Sequence, residues 1–287
     1  MAVQYNPNAQ FEIKTWDTEF RRAPKRTLMA RVYQPQKDGP FPVLLDLHGG
    51  AWNNQDRTAN AMMDEALAKS GILVVAIDLT RAGEAPYPAS IQDANYGVRW
   101  LKLKAREWRG DPATIGALGS SSGGHEIELC AMKPRDPLYS VHKLGEAPEF
   151  DATLNYVATR SPVSDPYARF LNAEKLGREE MVQNSRRYFD PWDTIHDGNP
   201  QEVLDRGEKV TLLPLLIMQG ELDDNVRPAV QEKFVASYRA AGGECQYEVF
   251  AGCEHLWVRQ PGPQTERAHE MVKQFIAKQL KAKRLAA

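Results

Sequence analysis

The chain has 287 residues, 42% of them hydrophobic and 26% charged, which is enough apolar material for one large core. Its 36 basic and 38 acidic residues give a formal net charge of −2, so no field of one sign favours nucleic acid or an anionic membrane. No secretory signal pattern and no run of roughly 20 apolar residues occurs, so the sequence predicts a cytoplasmic protein with no membrane partner.

Two early segments, FEIKTW and TLMARVYQP, alternate between apolar and polar residues and predict an antiparallel pair at a sheet edge. Mostly continuous apolar runs, typical of strands buried on both faces, then follow at 42–48, 71–78, 114–120, 154–159, 212–220 and 245–250. Helices are predicted between and after them, at 57–70, 90–108, 124–133, 228–241 and 263–283. This alternation predicts a single α/β domain over residues 1–287, built on a mostly parallel twisted sheet with helices on both faces.

Two stretches interrupt the rhythm. Residues 134–150 are rich in proline and charge, and residues 161–210 carry several aromatic residues and a predicted helix near 173–188. Ligands of open α/β sheets bind at the carboxyl ends of the strands, and loops this long are uncommon unless functional or disordered. We therefore expect both insertions to form a cap over a site, with ordinary surface loops as the alternative.

The stretch GALGSSSGGHE, residues 116–126, holds three consecutive serines. Only Ser121 fits the frame G-x-S-x-G, with Gly119 and Gly123 two residues to either side. That frame makes a sharp strand-to-helix turn that presents a nucleophile, and here a predicted strand precedes it and a predicted helix follows it. Ser121 is therefore the candidate nucleophile.

A serine hydroxyl needs a base, and the base needs an orienting carboxylate. His255 follows the last predicted strand in a loop, whereas His125 lies one helical turn from the nucleophile and should point away from it. The preceding strand ends in GELDDNV, which offers Glu221, Asp223 and Asp224, and spacing alone leaves all three open as the acid.

The oxyanion of acyl transfer is usually held by preorganised backbone N–H groups. The glycine-rich segment DLHGGAW follows the first predicted parallel strand. Gly50 and Ala51 there, with Ser122 after the nucleophile, are the candidate N–H donors. The alternative is that the glycines merely form a tight turn.

In several blocks at once, over roughly residues 25–280, the chain resembles the α/β-hydrolase superfamily. Within it the sequence is similar to hormone-sensitive-lipase-like esterases and to small esterase/arylformamidase-like hydrolases. HGGAW resembles the H-G-G-G-W oxyanion motif, SSSGGHEIELCA resembles S-A-G-G-H-L-A, and AGCEHLW resembles the P-G-x-x-H-x-F loop that selects His255. GELDDNV resembles G-x-x-D-x-x-V, and this resemblance selects Asp223. The chain departs from these motifs at Ala51, at Ser122 and at Thr80, where the family has Gly, Ala and Tyr.

The expected activity is the hydrolysis of small-molecule carboxylic esters with short acyl chains, by a triad of Ser121, Asp223 and His255. It requires no metal and no cofactor. Trp52 and Trp257 are expected to line the substrate pocket. An amidase, an arylformamidase or a peptidase would use the same triad. Further alternatives are a lyase that reuses the oxyanion hole, or a ligand-binding protein on the same fold, although such receptors have damaged triads.

The sequence leaves the oligomeric state open, a homodimer included. Three sparse cysteines fit a reducing compartment, and a pairing of Cys245 with Cys253 is left open.

Overall fold

One eight-stranded sheet organises the protein, whose computed structural model describes residues 3–286. The strand order is β1-β2-β4-β3-β5-β6-β7-β8. The edge strand β1 pairs with β2 and β2 with β4, both antiparallel, and every other pair is parallel, which confirms the predicted fold class and edge pair. The strands are β1 (Ile13–Arg22), β2 (Thr27–Pro35), β3 (Val43–Leu47), β4 (Leu73–Ile77), β5 (Gly116–Ser120), β6 (Val157–Arg160), β7 (Leu215–Gly220) and β8 (Cys245–Phe250).

Helices cover both faces of the sheet, as the continuous apolar strands require. They are α1 (Ala61–Lys69), α2 (Ala89–Lys104), α3 (Ser122–Met132), α4 (Pro166–Lys175), α5 (Glu179–Tyr188), α6 (Thr194–Asp197), α7 (Pro200–Asp205), α8 (Pro228–Ala240) and α9 (Pro263–Ala286). Apolar residues of α1 and α9 pack on one face, and those of α2, α3 and α8 pack on the other. Strand residues alternate between the two cores: Leu45 and Ala117 face α2, α3 and α8, while Leu44 and Leu118 face α1 and α9.

The structure corrects the predicted helix near 173–188. Two helices, α4 and α5, occupy this region and are separated at Gly177, which has a φ of 64°. A left-handed residue ends a helix, and glycine adopts that conformation without a steric cost. The predicted helix 90–108 also ends earlier, as α2 stops at Lys104 and a 3₁₀ turn completes it.

The two insertions lie in different places. Residues 161–210 form α4 to α7 and bond to loops at the carboxyl ends of the strands. Asn172 donates to the carbonyl oxygen of Asp224, and the Asn53 side chain donates to the backbone carbonyl oxygen of Asn184. Residues 134–150 instead receive hydrogen bonds from Gln92, Asn95 and Arg99 of α2, at Leu138, Pro134 and His142. A cap formed by 161–210 remains our proposal, and 134–150 lies along α2.

All three cysteines, Cys130, Cys245 and Cys253, are buried free thiols, so the pairing that the sequence left open does not occur in this structure. Between residues 3 and 286, no helix is both long enough and apolar enough to cross a lipid bilayer. Over the same range, no three His, Cys, Asp or Glu side chains come together in a metal-binding arrangement.

Candidate active site

Ser121 sits in the turn between β5 and α3, with φ 53° and ψ −116°. The flanking glycines are sterically required there. A Cβ on Gly119 would lie 2.6 Å from the carbonyl oxygen of Gly123, and a Cβ on Gly123 would overlap the carbonyl oxygens of Leu47 and His48. The G-x-S-x-G frame therefore folds into the strained elbow that it predicts.

His255 joins the predicted nucleophile to the predicted acid. Its Nε2 lies 2.9 Å from Ser121 Oγ, and its Nδ1 lies 2.8 Å from Asp223 Oδ2. A carboxylate only accepts hydrogen bonds, so the ring carries its proton on Nδ1 and leaves Nε2 free to accept from the serine hydroxyl. The three residues come from loops after β5, β7 and β8, which end at the same edge of the sheet.

Electrostatics keep the base neutral and the acid ionised. Burial lowers the pKa of His255 below its ordinary value, outweighing the opposing effect of Asp223. Burial raises the pKa of Asp223, but hydrogen bonds from His255 and from the Val226 N–H outweigh it, so its pKa lies below the ordinary range. The Asp223 carboxylate also accepts from the N–H of Asn225 and from Gln219 Nε2.

The structure separates the three candidate acids. Asp224 forms an ion pair with Arg178, and its side chain is 69% exposed. Glu221 accepts a hydrogen bond from the N–H of Gly252, at 2.8 Å. Of the three, only Asp223 bonds to His255, and this geometry favours it as the acid.

The loop after β3 brings the candidate oxyanion donors beside the nucleophile. A Cβ on Gly49 would lie 3.1 Å from Ser121 Cβ, so this backbone passes close to the elbow. Gly50 and Ala51 have φ values of 109° and 51°. Among the described residues, the N–H groups of Gly50, Ala51 and Ser122 have no hydrogen-bond acceptor. The N–H of Trp52 donates to Ser122 Oγ at 3.2 Å, so the serine that replaces the family's alanine ties this loop to the elbow.

His125 and Trp52 belong to a packed group on the α2/α3 side of the elbow, which we call the aromatic cluster: Trp52, Tyr87, His125, Tyr188 and Phe189. Trp52 Nε1 donates to His125 Nδ1, and His125 Nε2 donates to the carbonyl oxygen of Gly198. Burial lowers the pKa of His125 to about 4. Both ring nitrogens of His125 are thus used in holding the fold, and the ring does not contact Ser121 Oγ.

The two predicted pocket tryptophans are both packed. Trp52 is 4% exposed and stacks on Tyr188 with ring centroids 4.7 Å apart. Trp257 stacks on Phe250 at 4.3 Å, against the α1/α9 core. Their contact with substrate remains a prediction.

A cavity of about 190 Å³ lies on the other side of the elbow, on the α1/α9 face, and we call it the basic cavity. Its polar and charged lining includes Thr58, Asn60, Ser120, Arg160 and Arg259, and Met62 stands beside them. Neither Trp52 nor Trp257 is among its lining residues. The three consecutive serines thus divide: Ser120 lines the cavity, Ser121 meets His255, and Ser122 meets the oxyanion loop.

Sequence reasoning missed two supporting residues. Gln219 Nε2 donates to Asp223 Oδ2 at 3.1 Å, and Arg160 Nη1 donates to the carbonyl oxygen of His255 at 2.9 Å. Both are polar residues near the carboxyl ends of strands that are mostly apolar. A polar residue is rarely buried without a partner, so that position was a readable signal.

A nucleophile elbow with its histidine and acid at the carboxyl ends of a mostly parallel sheet defines the α/β-hydrolase class. The solved structure of esterase B from Lactobacillus Rhamnosis (HN001) has the same fold, with a TM-score of 0.80 at 19% sequence identity, over 97% of this chain and 90% of that one. The chain belongs to the BD-FAE family, whose model matches residues 31–237.

Two relatives from Mycobacterium tuberculosis have names that describe ester hydrolases. Carboxylesterase NlhH is 34% identical over 201 residues, which cover 67% of this chain and 55% of the relative. The probable carboxylic ester hydrolase LipM is 36% identical over 196 residues, which cover 64% of this chain and 45% of the relative. The chain thus spans about half the length of these curated relatives.

Proposed function

We propose that the protein hydrolyses carboxylic esters through an acyl-enzyme. The observation that carries this proposal is the position of His255, within 2.9 Å of Ser121 Oγ and 2.8 Å of Asp223 Oδ2. The family and the names of the relatives support the same chemistry.

In the proposed first step, Ser121 Oγ attacks the acyl carbon while His255 Nε2 takes the hydroxyl proton. Asp223 holds the ring in the required tautomer and stabilises its cation. The N–H groups of Gly50, Ala51 and Ser122 receive the developing oxyanion. His255 then protonates the leaving alcohol, and a water molecule repeats the attack on the acyl-enzyme, which releases the acid and restores the serine.

We further propose that short acyl groups are preferred. The cavity beside the elbow has a volume of about 190 Å³, and this limits the length of the acyl chain that it can hold. Each methylene that is buried adds roughly 0.8 kcal/mol, so the rate should rise with chain length until the space is filled and fall afterwards.

The test is kcat/KM for p-nitrophenyl esters from acetate to palmitate, with aryl formamides and peptides alongside. Ser121→Ala should lower kcat by at least roughly a thousandfold with the melting temperature retained. Labelling with an organophosphate and peptide mapping should modify Ser121. Turnover of the formamides alone would move the assignment to an amidase, a continued rise to palmitate would refute the short-chain preference, and labelling of Ser120 would refute the elbow.

A further inference from the structure

Arg160 is a buried cation with one unused N–H group. It is 2% exposed, and its Nη1 donates to the carbonyl oxygen of His255. Its Nη2 has no hydrogen-bond acceptor among the described residues. Burial lowers the pKa of Arg160 to about 10 and outweighs the charges of Asp223 and Asp46, which act to raise it. A buried guanidinium with an unused N–H is costly to retain, and this favours an anion at Nη2.

The other groups around the basic cavity add to the same field. Arg259 lines it, and the buried Nε of that residue also has no acceptor in the described part of the chain. The N-terminal turn of α1 forms the wall from residue 61 to 63, and no side chain caps this helix. The N–H groups of Ala61 and Met63 bond to backbone carbonyl oxygens, and that of Met62 has no acceptor among the described residues. A free N–H at a helix N-terminus favours an anion.

Two carboxyl groups on the same face are poor counterions for this cavity. Asp46 and Asp64 are both buried, and Asp46 accepts a hydrogen bond from Asn60. Burial raises the pKa of Asp46 to about 7 and that of Asp64 well above its ordinary value, so their negative charge is reduced at neutral pH. A planar monoanion matches the fork of an arginine, and this favours a carboxylate.

We propose that the basic cavity binds a carboxylate group through Arg160, Arg259 and the first turn of α1. The identity of the molecule that carries this carboxylate rests on the proposed esterase function. The cavity begins at Ser120, next to the nucleophile, so the carboxylate belongs to the far end of a short acyl chain. The preferred substrate is then a half-ester of a short dicarboxylic acid. The other source of the same chemistry is a free small carboxylate.

The first arm of the test compares monoethyl glutarate with ethyl hexanoate, a neutral ester of similar shape, in a pH-stat. Wild-type protein should prefer the charged ester by about tenfold or more in kcat/KM, the effect of one charge-assisted contact. Met62→Glu places a second carboxylate on the cavity wall and should abolish the preference, whereas the matched neutral change Met62→Gln should keep it. Arg259→Met should also reduce it, and Arg267→Met, at an exposed ion pair with Glu248 outside the cavity, is the control.

The second arm measures binding without turnover, in the Ser121→Ala variant. Sodium butyrate should raise the melting temperature relative to butyramide and to sodium chloride at equal ionic strength, and Met62→Glu in the same background should remove the rise. A rise without substrate preference would overturn the acyl assignment and identify a free carboxylate as the ligand. The absence of both the rise in melting temperature and the substrate preference would overturn the site. If wild-type protein did not hydrolyse the neutral ester, the esterase proposal would be refuted. The carboxylate site would still be tested separately, because the melting-temperature measurement does not depend on catalysis.

Discussion

The two sides of the nucleophile elbow are built in opposite ways. On the α2/α3 side, the aromatic cluster fills the space with packed rings, and both ring nitrogens of His125 form hydrogen bonds to neighbouring residues. On the α1/α9 side, Arg160 and Arg259 face a cavity of about 190 Å³ and retain nitrogens without acceptors among the described residues. Both sides lie at the same edge of the sheet, so position in the fold alone does not separate support from binding.

The two buried histidines express this difference most directly. Burial lowers the pKa of both His125 and His255. His255 has a carboxylate on one nitrogen and a hydroxyl on the other, so Nε2 can take up the hydroxyl proton while the carboxylate stabilises the resulting cation. His125 has an indole N–H on one nitrogen and a backbone carbonyl on the other, and these partners fix its proton in place. The chemistry of the neighbours, and not burial, distinguishes a base from a structural histidine.

The largest effect should come from removing the charge behind His255. Asp223→Asn should lower kcat by about 10³- to 10⁴-fold, because the amide favours the wrong imidazole tautomer. Asp224→Asn should change kcat less than twofold, since its exposed pair with Arg178 contributes little. Steady-state kinetics of both variants are the measurement. A larger loss at Asp224 would move the orienting role to that residue.

The pH profile tests the protonation of His255. Because its pKa is lowered below 6.5, kcat/KM should stay level down to a pH under 6.5 and then fall about tenfold per pH unit. Protonation also favours the unfolded chain in that window, since the unfolded histidine titrates first, near 6.5, and stability declines as pH falls towards the folded pKa. Melting temperatures at each pH separate the two effects. A midpoint above 7 would contradict the lowered pKa.

His125 should show the converse behaviour. His125→Ala leaves the indole N–H of Trp52 and the carbonyl oxygen of Gly198 without partners and opens a void. The free energy of unfolding should fall by about 3 kcal/mol or more. That corresponds to a fall in melting temperature of roughly 6–12 °C, at about 2–4 °C per kcal/mol. The protein that remains folded should keep activity within about tenfold, as normalised by active-site titration. His255→Ala should instead abolish activity with a small change in melting temperature. If His125→Ala and His255→Ala lowered activity equally, the two sides of the elbow would not differ in function.

Sequence patterns identified Ser121 and His255 as candidates from G-x-S-x-G and from the strand ends, because both follow from local turn geometry and chain order. The structure brings these two side chains to within 2.9 Å of each other. Asp223 required the family pattern, since Asp224 sits at nearly the same spacing. The position of Arg160 at a strand end was a readable signal, but the cavity could not be predicted, because it depends on which face of the sheet that side chain takes and on what α1 leaves uncovered. Tertiary packing also decides the role of the aromatic residues in 161–210: Tyr188 and Phe189 pack against each other and against Trp52, which composition alone does not indicate.

The smallest effects should distinguish the two serines that flank the nucleophile. Ser122→Ala removes the acceptor for the Trp52 N–H on the aromatic side, so the oxyanion loop loses one tie and kcat should fall about two- to tenfold for every ester alike. Ser120→Ala changes only the wall of the basic cavity, so it should leave kcat on p-nitrophenyl acetate within twofold and alter the dependence on acyl length. The measurement is kcat and KM of both variants across the acyl series. Equal, chain-length-independent losses in the two variants would show that the elbow does not separate a supporting side from a binding side.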